Sequence, residues 1–160
     1  MNRRTFLSVA SLAPTVGLLS ACEPETLFDH AQAVVDKLLP QLQASLEADR
    51  PILVAPFHNL DDLQTSTFGR AMAELVGNLL AQRGLIVADA RLHVPAAAQN
   101  GASIALTGDT LAAAAGNRAQ AVIVGAYSVM SPLVYASVKC IRTRDNQIIA
   151  ATDVELRYEG

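Results

Sequence analysis

The C-terminal part of the chain carries the pattern that most constrains its fold. Residues 121–130 form a continuous run of β-forming apolar residues, and residues 133–143 and 148–158 alternate apolar with polar side chains. Turn-forming residues at 131–132 and 145–146 separate the three runs. Because alternate side chains of a strand point to opposite faces and tight turns join antiparallel neighbours, we predict a three-stranded antiparallel meander with one wet face.

The two alternating runs assign their side chains to faces. The predicted inward side chains are Val134, Ala136, Val138, Cys140, Ile148, Ala150, Val154, Leu156 and Tyr158. The predicted outward side chains are Ser137, Lys139, Asp153, Glu155 and Arg157. The outward set predicts a solvated face, although a docking surface of the same composition is equally compatible with the pattern.

Two amphipathic helices are predicted before the meander. Residues 27–48 and 67–83 repeat apolar side chains at three- and four-residue spacing, which buries one stripe of a helix. Pro40 predicts a kink or a split of the first helix near Leu39, because proline lacks the N–H that a helix interior uses.

Local signals mark both ends of the second helix. Ser66 or Thr67 can accept hydrogen bonds from the free N–H groups of the first turn. Gly84 follows the last turn, where a left-handed cap is expected. Small residues at every fourth position predict a ridge that lets the helix lie close on a sheet. They are Gly69, Ala73 and Gly77.

The order of all predicted elements indicates the fold class. The remaining predicted elements are strands at 52–57 and 85–88, a polar loop at 58–66, two further possible strands near 91–94 and 104–107, and a short helix at 109–117. This order predicts an α/β fold of the α+β type with a mixed sheet. We expect a single-domain sandwich over residues 27–160, with an N-terminal helix, helices packed on one sheet and a C-terminal antiparallel three-strand meander.

The N-terminal segment has the pattern of a bacterial lipoprotein signal. Arg3 and Arg4 precede a mostly apolar run at 6–19, which is shorter than the roughly 20 residues that span a bilayer. Residues Leu19, Ser20, Ala21 and Cys22 resemble a lipobox. We therefore predict a signal peptide at 1–21, diacylglycerol on the Cys22 thiol, and a lipidated tether at 22–26. The alternative is an ordinary secretory signal with a chance cysteine.

The same segment is compatible with two export routes and indicates which membrane holds the lipoprotein. Arg3-Arg4-Thr5-Phe6-Leu7 resembles a twin-arginine motif, yet two basic residues also suit the general secretory route. Glu23 follows the cysteine. Resemblance to lipoproteins in general implies that aspartate at this position favours inner-membrane retention, so Glu23 leans towards the outer membrane.

Composition bounds the mature chain and its partners. Removal of 21 residues from 160 leaves 139, enough for one domain with a core. The signal holds two arginines and no acid, so the net charge falls from −3 to −5, and we expect no nucleic-acid partner. Once Cys22 is acylated, Cys140 has no cysteine to pair with, and its apolar surroundings predict a small buried side chain.

A search for chemistry finds no catalytic set, metal site or cofactor motif. His30, His58 and His93 are far apart and lack ligands at metal-binding spacing. Asp61 and Asp62 follow a strand end, where ligands bind in many α/β sheets. Loop solvation with an Asx turn is the favoured interpretation, and an acid–base role is the weaker alternative.

One segment resembles a known family. Residues 52–91 carry the pattern of the FlgO family of outer-membrane lipoproteins. The matching residues are Phe57, Asn59, Asp61, Asp62, Phe68, Gly69, Arg70 and Gly84, followed in the C-terminal half by Val124, Gly125 and Tyr127. The resemblance implies a periplasm-facing lipoprotein of the outer membrane that supports flagellar motility around the basal body, without catalysis. It also implies that these motif residues are structural.

Two further functions stay open from the sequence. The chain could be a non-flagellar periplasmic lipoprotein that binds a peptide, a glycan or a small ligand, although 4% aromatic residues and no tryptophan argue against a sugar platform. It could be an enzyme that uses Asp61 and Asp62. The expected partners are the membrane, through the lipid, and flagellar basal-body or other envelope lipoproteins.

Overall fold

The computed structural model describes residues 25–61, 66–89 and 114–157. Several sequence predictions lie outside these ranges. They are the signal at 1–21 with Cys22, most of the tether, Asp62, His93, the strands near 91–94 and 104–107, the start of the helix at 109–117, and Tyr158.

The described residues form two helices and a six-stranded mixed sheet. The elements are α1 (Leu27–Ser45), β1 (Ile52–Val54), β2 (His58–Asn59), α2 (Thr67–Gln82), β3 (Val87–Ala88), β4 (Ala121–Met130), β5 (Leu133–Arg142) and β6 (Ile148–Arg157). The sheet order is β3-β1-β4-β5-β6, and β2 pairs with β4 beyond the end of β1. The predicted fold class, with an N-terminal helix and helices on a mixed sheet, is confirmed.

The predicted meander is confirmed as β4-β5-β6. Met130 pairs with Leu133 across the first hairpin, and Cys140 pairs with Ala150 across the second. The inward side chains of β5, and those of β6 from Ala150 onward, are buried as predicted. They pack on the face that receives both helices.

One predicted inward side chain, Ile148, is wrongly placed. It is 57% exposed. The register shifts by one residue between Cys140 and Ile141, so Ile148 lies opposite Ile141. Because a one-residue shift turns a side chain to the other face of a sheet, Ile148 leaves the core side.

The predicted continuous strand at 52–57 is also wrong, as is a loop beginning at His58. Pairing with β4 stops after Val54 and resumes at His58. Pro56 has no N–H to give to a neighbouring strand, and the Phe57 N–H donates to the Gly69 carbonyl of α2 at 3.1 Å. The polypeptide therefore leaves the sheet at Pro56 and Phe57 and returns as the separate strand β2.

Helix α1 runs through Pro40 without the predicted split. Proline removes the hydrogen bond to the Asp36 carbonyl, and both Pro40 and Asp36 are exposed. Water can therefore satisfy the released carbonyl, and the buried stripe keeps the helix in one piece. The helix ends at Ser45, three residues before the predicted end.

The caps of α2 follow the sequence prediction. The Ser66 hydroxyl accepts from the Gly69 N–H at 2.9 Å, and Gly84 adopts a left-handed φ of 91°. The strand predicted at 85–88 is shorter in the structure, where β3 spans Val87–Ala88. The Ile52 N–H donates to the Ile86 carbonyl at 2.8 Å just before it.

The two faces of the sheet carry different cores. Both helices pack on one face, where the main core includes Leu38, Leu42, Val76, Leu80 and Ile123. A smaller cluster on the other face joins β1 and β4 to residues 114–119 through Leu53, Val122, Val124 and Ala114. Within the described ranges, no helix is both long and apolar enough to cross a membrane.

Candidate functional site

Several motif residues meet where β1 ends and α2 begins, whereas Gly84 follows the other end of α2. Gly69 lies directly against Phe57, and a Cβ at position 69 would overlap the Phe57 carbonyl oxygen. The Phe57 N–H donates to the Gly69 carbonyl at 3.1 Å. Only glycine allows this approach of two backbones, so the Gly69 of the motif joins the helix to the strand end.

A second glycine receives the Phe57 ring. Phe57 is fully buried, and a Cβ on Gly125 of β4 would overlap its ring. The sequence analysis included Gly125 in the family pattern but did not predict this contact. A glycine inside a continuous apolar strand is a signal for close approach of another group.

Tyr127 links β4 to the first turn of α2. Its hydroxyl hydrogen-bonds the Ser66 hydroxyl, and its ring packs edge-on against Phe68 with centroids 4.7 Å apart. The Tyr127 carbonyl accepts from the Leu60 N–H at 2.8 Å. Tyr127 is buried, so its polar end and its ring both serve the packing of α2 and β2 on β4.

The polar motif residues beyond β2 make local contacts. The Asn59 side-chain oxygen accepts from the Asp61 N–H at 3.0 Å, which is an Asx turn. The Asp61 carboxylate is exposed. The Arg70 guanidinium contacts the Thr67 hydroxyl at 3.4 Å. Asp62 lies outside the described ranges.

The histidines of the described ranges are separate from one another. His30 is buried on α1, with its Nε2 atom 3.7 Å from the exposed Glu25 carboxylate, and His58 is buried on β2. Within the described ranges, no three side chains of the histidine, cysteine, aspartate and glutamate types are close enough to hold a metal ion. The remaining histidine, His93, lies outside them.

Thr26, four residues after Cys22 in the sequence, caps the first turn of α1. The Thr26 hydroxyl donates to the Asp29 carboxylate at 2.7 Å and accepts from the Asp29 N–H at 3.3 Å. The Thr26 N–H donates to the same carboxylate at 2.8 Å. These bonds from Thr26 lower the pKa of Asp29, so the cap persists until the pH falls well into the acidic range.

Cys140 lies in the core of the sheet. Its side chain is fully buried among the inward residues of β5. Burial raises the pKa of its thiol to about 12, although Arg142 opposes the shift. The thiol therefore stays protonated at neutral pH, as a small buried apolar group would.

A shallow cleft lies at the opposite end of the sheet from Phe57, Gly69 and Tyr127, and the motif residue Gly84 is part of its lining. Its volume is about 160 Å³, and it is lined by the ends of α1 and α2 together with Gln120. The Gln120 side chain donates to the Glu47 and Arg50 carbonyls at 2.7 Å and accepts from the Glu47 N–H. Pockets for small ligands are typically about 300–1,000 Å³, so this cleft is small for such a role.

Comparison with known protein families matches residues 32–160 to the family described as FlgO protein. No curated protein matches the chain. The match covers α1 from residue 32 onward, all of α2, the whole described sheet and every motif residue named above.

Solved structures of low sequence identity share the fold. The C-terminal domain of LpoB from Salmonella enterica is 16% identical with a TM-score of 0.57, covering 79% of this chain and 98% of that domain. LpoB from Escherichia coli, solved by NMR, is 16% identical with a TM-score of 0.61, covering 96% and 84%. Lipoprotein GNA1162 from Neisseria meningitidis is 19% identical with a TM-score of 0.51, covering 67% and 79%. These likenesses show the fold alone.

Proposed function

The chain belongs to the FlgO family, and we propose that it is a non-enzymatic lipoprotein anchored through Cys22 to the outer membrane. Its domain faces the periplasm and supports flagellar motility as an accessory component around the basal body. The partners are the lipid bilayer and basal-body or other envelope lipoproteins.

One observation carries this proposal: the family match begins shortly after residues that resemble a lipobox. The family match begins at residue 32, ten residues after Cys22. Such spacing is expected if residues 1–21 are removed and the domain is held at the membrane by a short tether. The neighbour from Neisseria meningitidis is itself described as a lipoprotein, which supports the same assignment.

The contacts of the motif residues support a structural role. The Ser66 hydroxyl is engaged by the Gly69 N–H and by Tyr127, and the Asn59 side chain is engaged by the Asp61 N–H. A catalytic hydroxyl or carboxylate needs a partner base or acid aimed at a substrate-sized space. Ser66 and Asn59 instead bond to backbone groups close in sequence and to Tyr127, and Asp61 is exposed.

Lipidation is tested by metabolic labelling with an alkyne analogue of palmitate. We expect the full-length chain and the Cys140→Ser variant to take up the label, and the Cys22→Ser variant to lose it. The comparison is matched because these are the two cysteines of the chain. Label that persists in Cys22→Ser would overturn the anchor.

The flagellar role is tested by deletion of the gene. We expect a smaller swimming zone in soft agar, and recovery of basal-body proteins when the lipoprotein is pulled down from detergent-solubilised envelope. Normal swimming together with no basal-body partner would contradict the flagellar role. That result would favour a periplasmic binding module outside the flagellum.

A further inference from the structure

The course of α1 places the start of the domain at one end of the sheet. Lys37 Nζ donates to the Asp153 carbonyl at 3.3 Å, and the Gln41 amide bonds both the carbonyl and the N–H of Ala151 at 3.2 Å. Helix α1 therefore runs antiparallel to β6. Its first residues lie beside the C-terminal end of that strand.

Standard geometry gives the level of the first turn. Leu27 precedes Lys37 by ten residues, about 15 Å of helix, and Arg157 follows Asp153 by four residues, about 13 Å of strand. Arg157 pairs with Leu133, next to the turn that joins β4 to β5. The first turn of α1 and the β4–β5 hairpin thus occupy the same end of the molecule.

This end also concentrates exposed apolar side chains. We define the apolar end by its residues: Phe28, Leu60, Val129, Met130 and Tyr135, all large, hydrophobic and exposed. Leu60 belongs to it because its N–H bonds the Tyr127 carbonyl near the end of β4. The two other large exposed hydrophobic residues of the described ranges, Ile86 and Ile148, precede β3 and begin β6 at the opposite end.

The tether limits where the apolar end can be. Cys22 precedes Glu25 by three residues, and three residues of extended chain span at most about 11 Å. If Cys22 carries the lipid, the end of the domain that starts at Glu25 is held within that reach of the lipid headgroups. Large exposed apolar side chains gathered at one end indicate a contact with another molecule or a membrane.

We propose that the apolar end rests on the bilayer, with the β4–β5 hairpin and Phe28 contacting the headgroup–acyl boundary. The inference rests on the proposed lipid anchor at Cys22. The exposed charged side chains at this end carry both signs: Glu25, Asp29 and Asp61 are acidic, and Arg70 and Arg157 are basic. We therefore attribute insertion to the apolar side chains. A basic surface that would select anionic lipids is not present among these described residues.

Depth-dependent quenching of a fluorescent label tests the contact. The lipidated full-length chain is purified in detergent and reconstituted into phosphatidylcholine vesicles with or without phosphatidylglycerol. A polarity-sensitive thiol label is placed on Met130→Cys, 60% exposed in the parent, and on the matched control Ile148→Cys, 57% exposed at the far end. Acylation blocks Cys22, and burial keeps Cys140 unreactive towards the label.

The proposal predicts that emission of the label at position 130 shifts to the blue on vesicle binding and is quenched by lipids brominated near the headgroup. Both effects should be equal with and without phosphatidylglycerol. The label at position 148 should keep the emission wavelength of a water-exposed label and should not be quenched. A water-like spectrum at position 130 in vesicle-bound protein would overturn the membrane contact and leave the anchor intact. A blue shift without lipid quenching would assign the apolar end to a second copy, which also overturns it.

Flotation of the same samples separates this inference from the proposed function. Protein that fails to float with the vesicles would refute the lipid anchor and, with it, the contact. Protein that floats without quenching at position 130 would refute the contact alone. A fivefold or greater loss of quenching is expected on adding Val129→Ser and Phe28→Ser, since the loss of two apolar side chains weakens insertion by about tenfold or more.

Discussion

Two glycines of the same helix have different surroundings. Gly69 leaves no room for a Cβ against the Phe57 backbone, whereas a Cβ at Gly77 would lie 3.7 Å from Val54, an ordinary contact distance. In the small-residue ridge predicted from the sequence, Gly69 therefore makes a close approach that requires glycine, whereas Gly77 has room for a methyl group. Substitution by alanine separates the two.

Gly69→Ala should lower the free energy of unfolding by about 1–3 kcal/mol, the usual effect of overpacking. Gly77→Ala should raise it by about 0.5–1 kcal/mol, because alanine loses less backbone entropy than glycine in a helix. Urea denaturation followed by circular dichroism measures both. Equal effects of the two substitutions would show that the Phe57 contact is not tight.

The thiol of Cys140 gives stability a dependence on alkaline pH. Its pKa rises from 9.0 to about 12 on folding, so the unfolded chain loses this proton at a lower pH than the folded chain. The contribution of the protonated thiol is full below pH 9 and is lost as the pH rises towards 12.

Cys140→Ala should therefore be less stable than the parent below pH 9 by a constant amount, and the difference should shrink between pH 9 and pH 12. Urea titrations of both proteins across this range measure it, and all other titrating groups cancel in the difference. A pH-independent difference would mean that the folded thiol ionises normally.

At the scale of elements, α1 covers the exposed edge of the sheet. Strand β6 is the last strand in the sheet order. The Gln41 amide donates to the Ala151 carbonyl and accepts from its N–H, as a neighbouring strand would. The Lys37 ammonium group donates to the Asp153 carbonyl. Because open edges pair with other chains, this cover opposes edge-to-edge association.

Gln41→Ala should lower the free energy of unfolding by about 1 kcal/mol through loss of its hydrogen bonds and should increase self-association at the uncovered edge. Gln43→Ala, at an exposed position of the same helix, is the matched control and should change neither. Size-exclusion chromatography with light scattering, beside urea denaturation, compares the two variants. Identical behaviour would show that the contact does not protect the edge.

The elements also show how far local sequence information reaches. A continuous apolar run predicted β4, alternation predicted β5 and β6, and Ser66 and Gly84 predicted the ends of α2, because those signals are local. The break in the strand at Pro56 was not predicted, because it depends on the contact of Phe57 with Gly69 of α2. The contact of Phe57 with Gly125 likewise joins residues far apart in sequence. Ile148 was misplaced because a one-residue shift in pairing leaves no mark on the sequence.

At the scale of the whole molecule, the chain has two unlike ends. One end holds the first turn of α1, the motif residues around Phe57 and Tyr127, and the β4–β5 hairpin. The other holds the small cleft and Gln120. The family pattern named these residues without placing them at one end, and another of its residues, Gly84, lines the cleft at the other end. The sense in which α1 crosses the sheet became known from the contacts of Lys37 and Gln41.

We propose that the FlgO-family domain of this chain supports motility while it is held at the membrane through Cys22. The most direct measurement is swimming in soft agar of the deletion strain carrying the parent gene, Cys22→Ser or Cys140→Ser. We predict that the parent and Cys140→Ser restore the swimming zone and that Cys22→Ser, exported to equal levels, does not. Full restoration by Cys22→Ser, or normal swimming of the deletion strain itself, would contradict the claim.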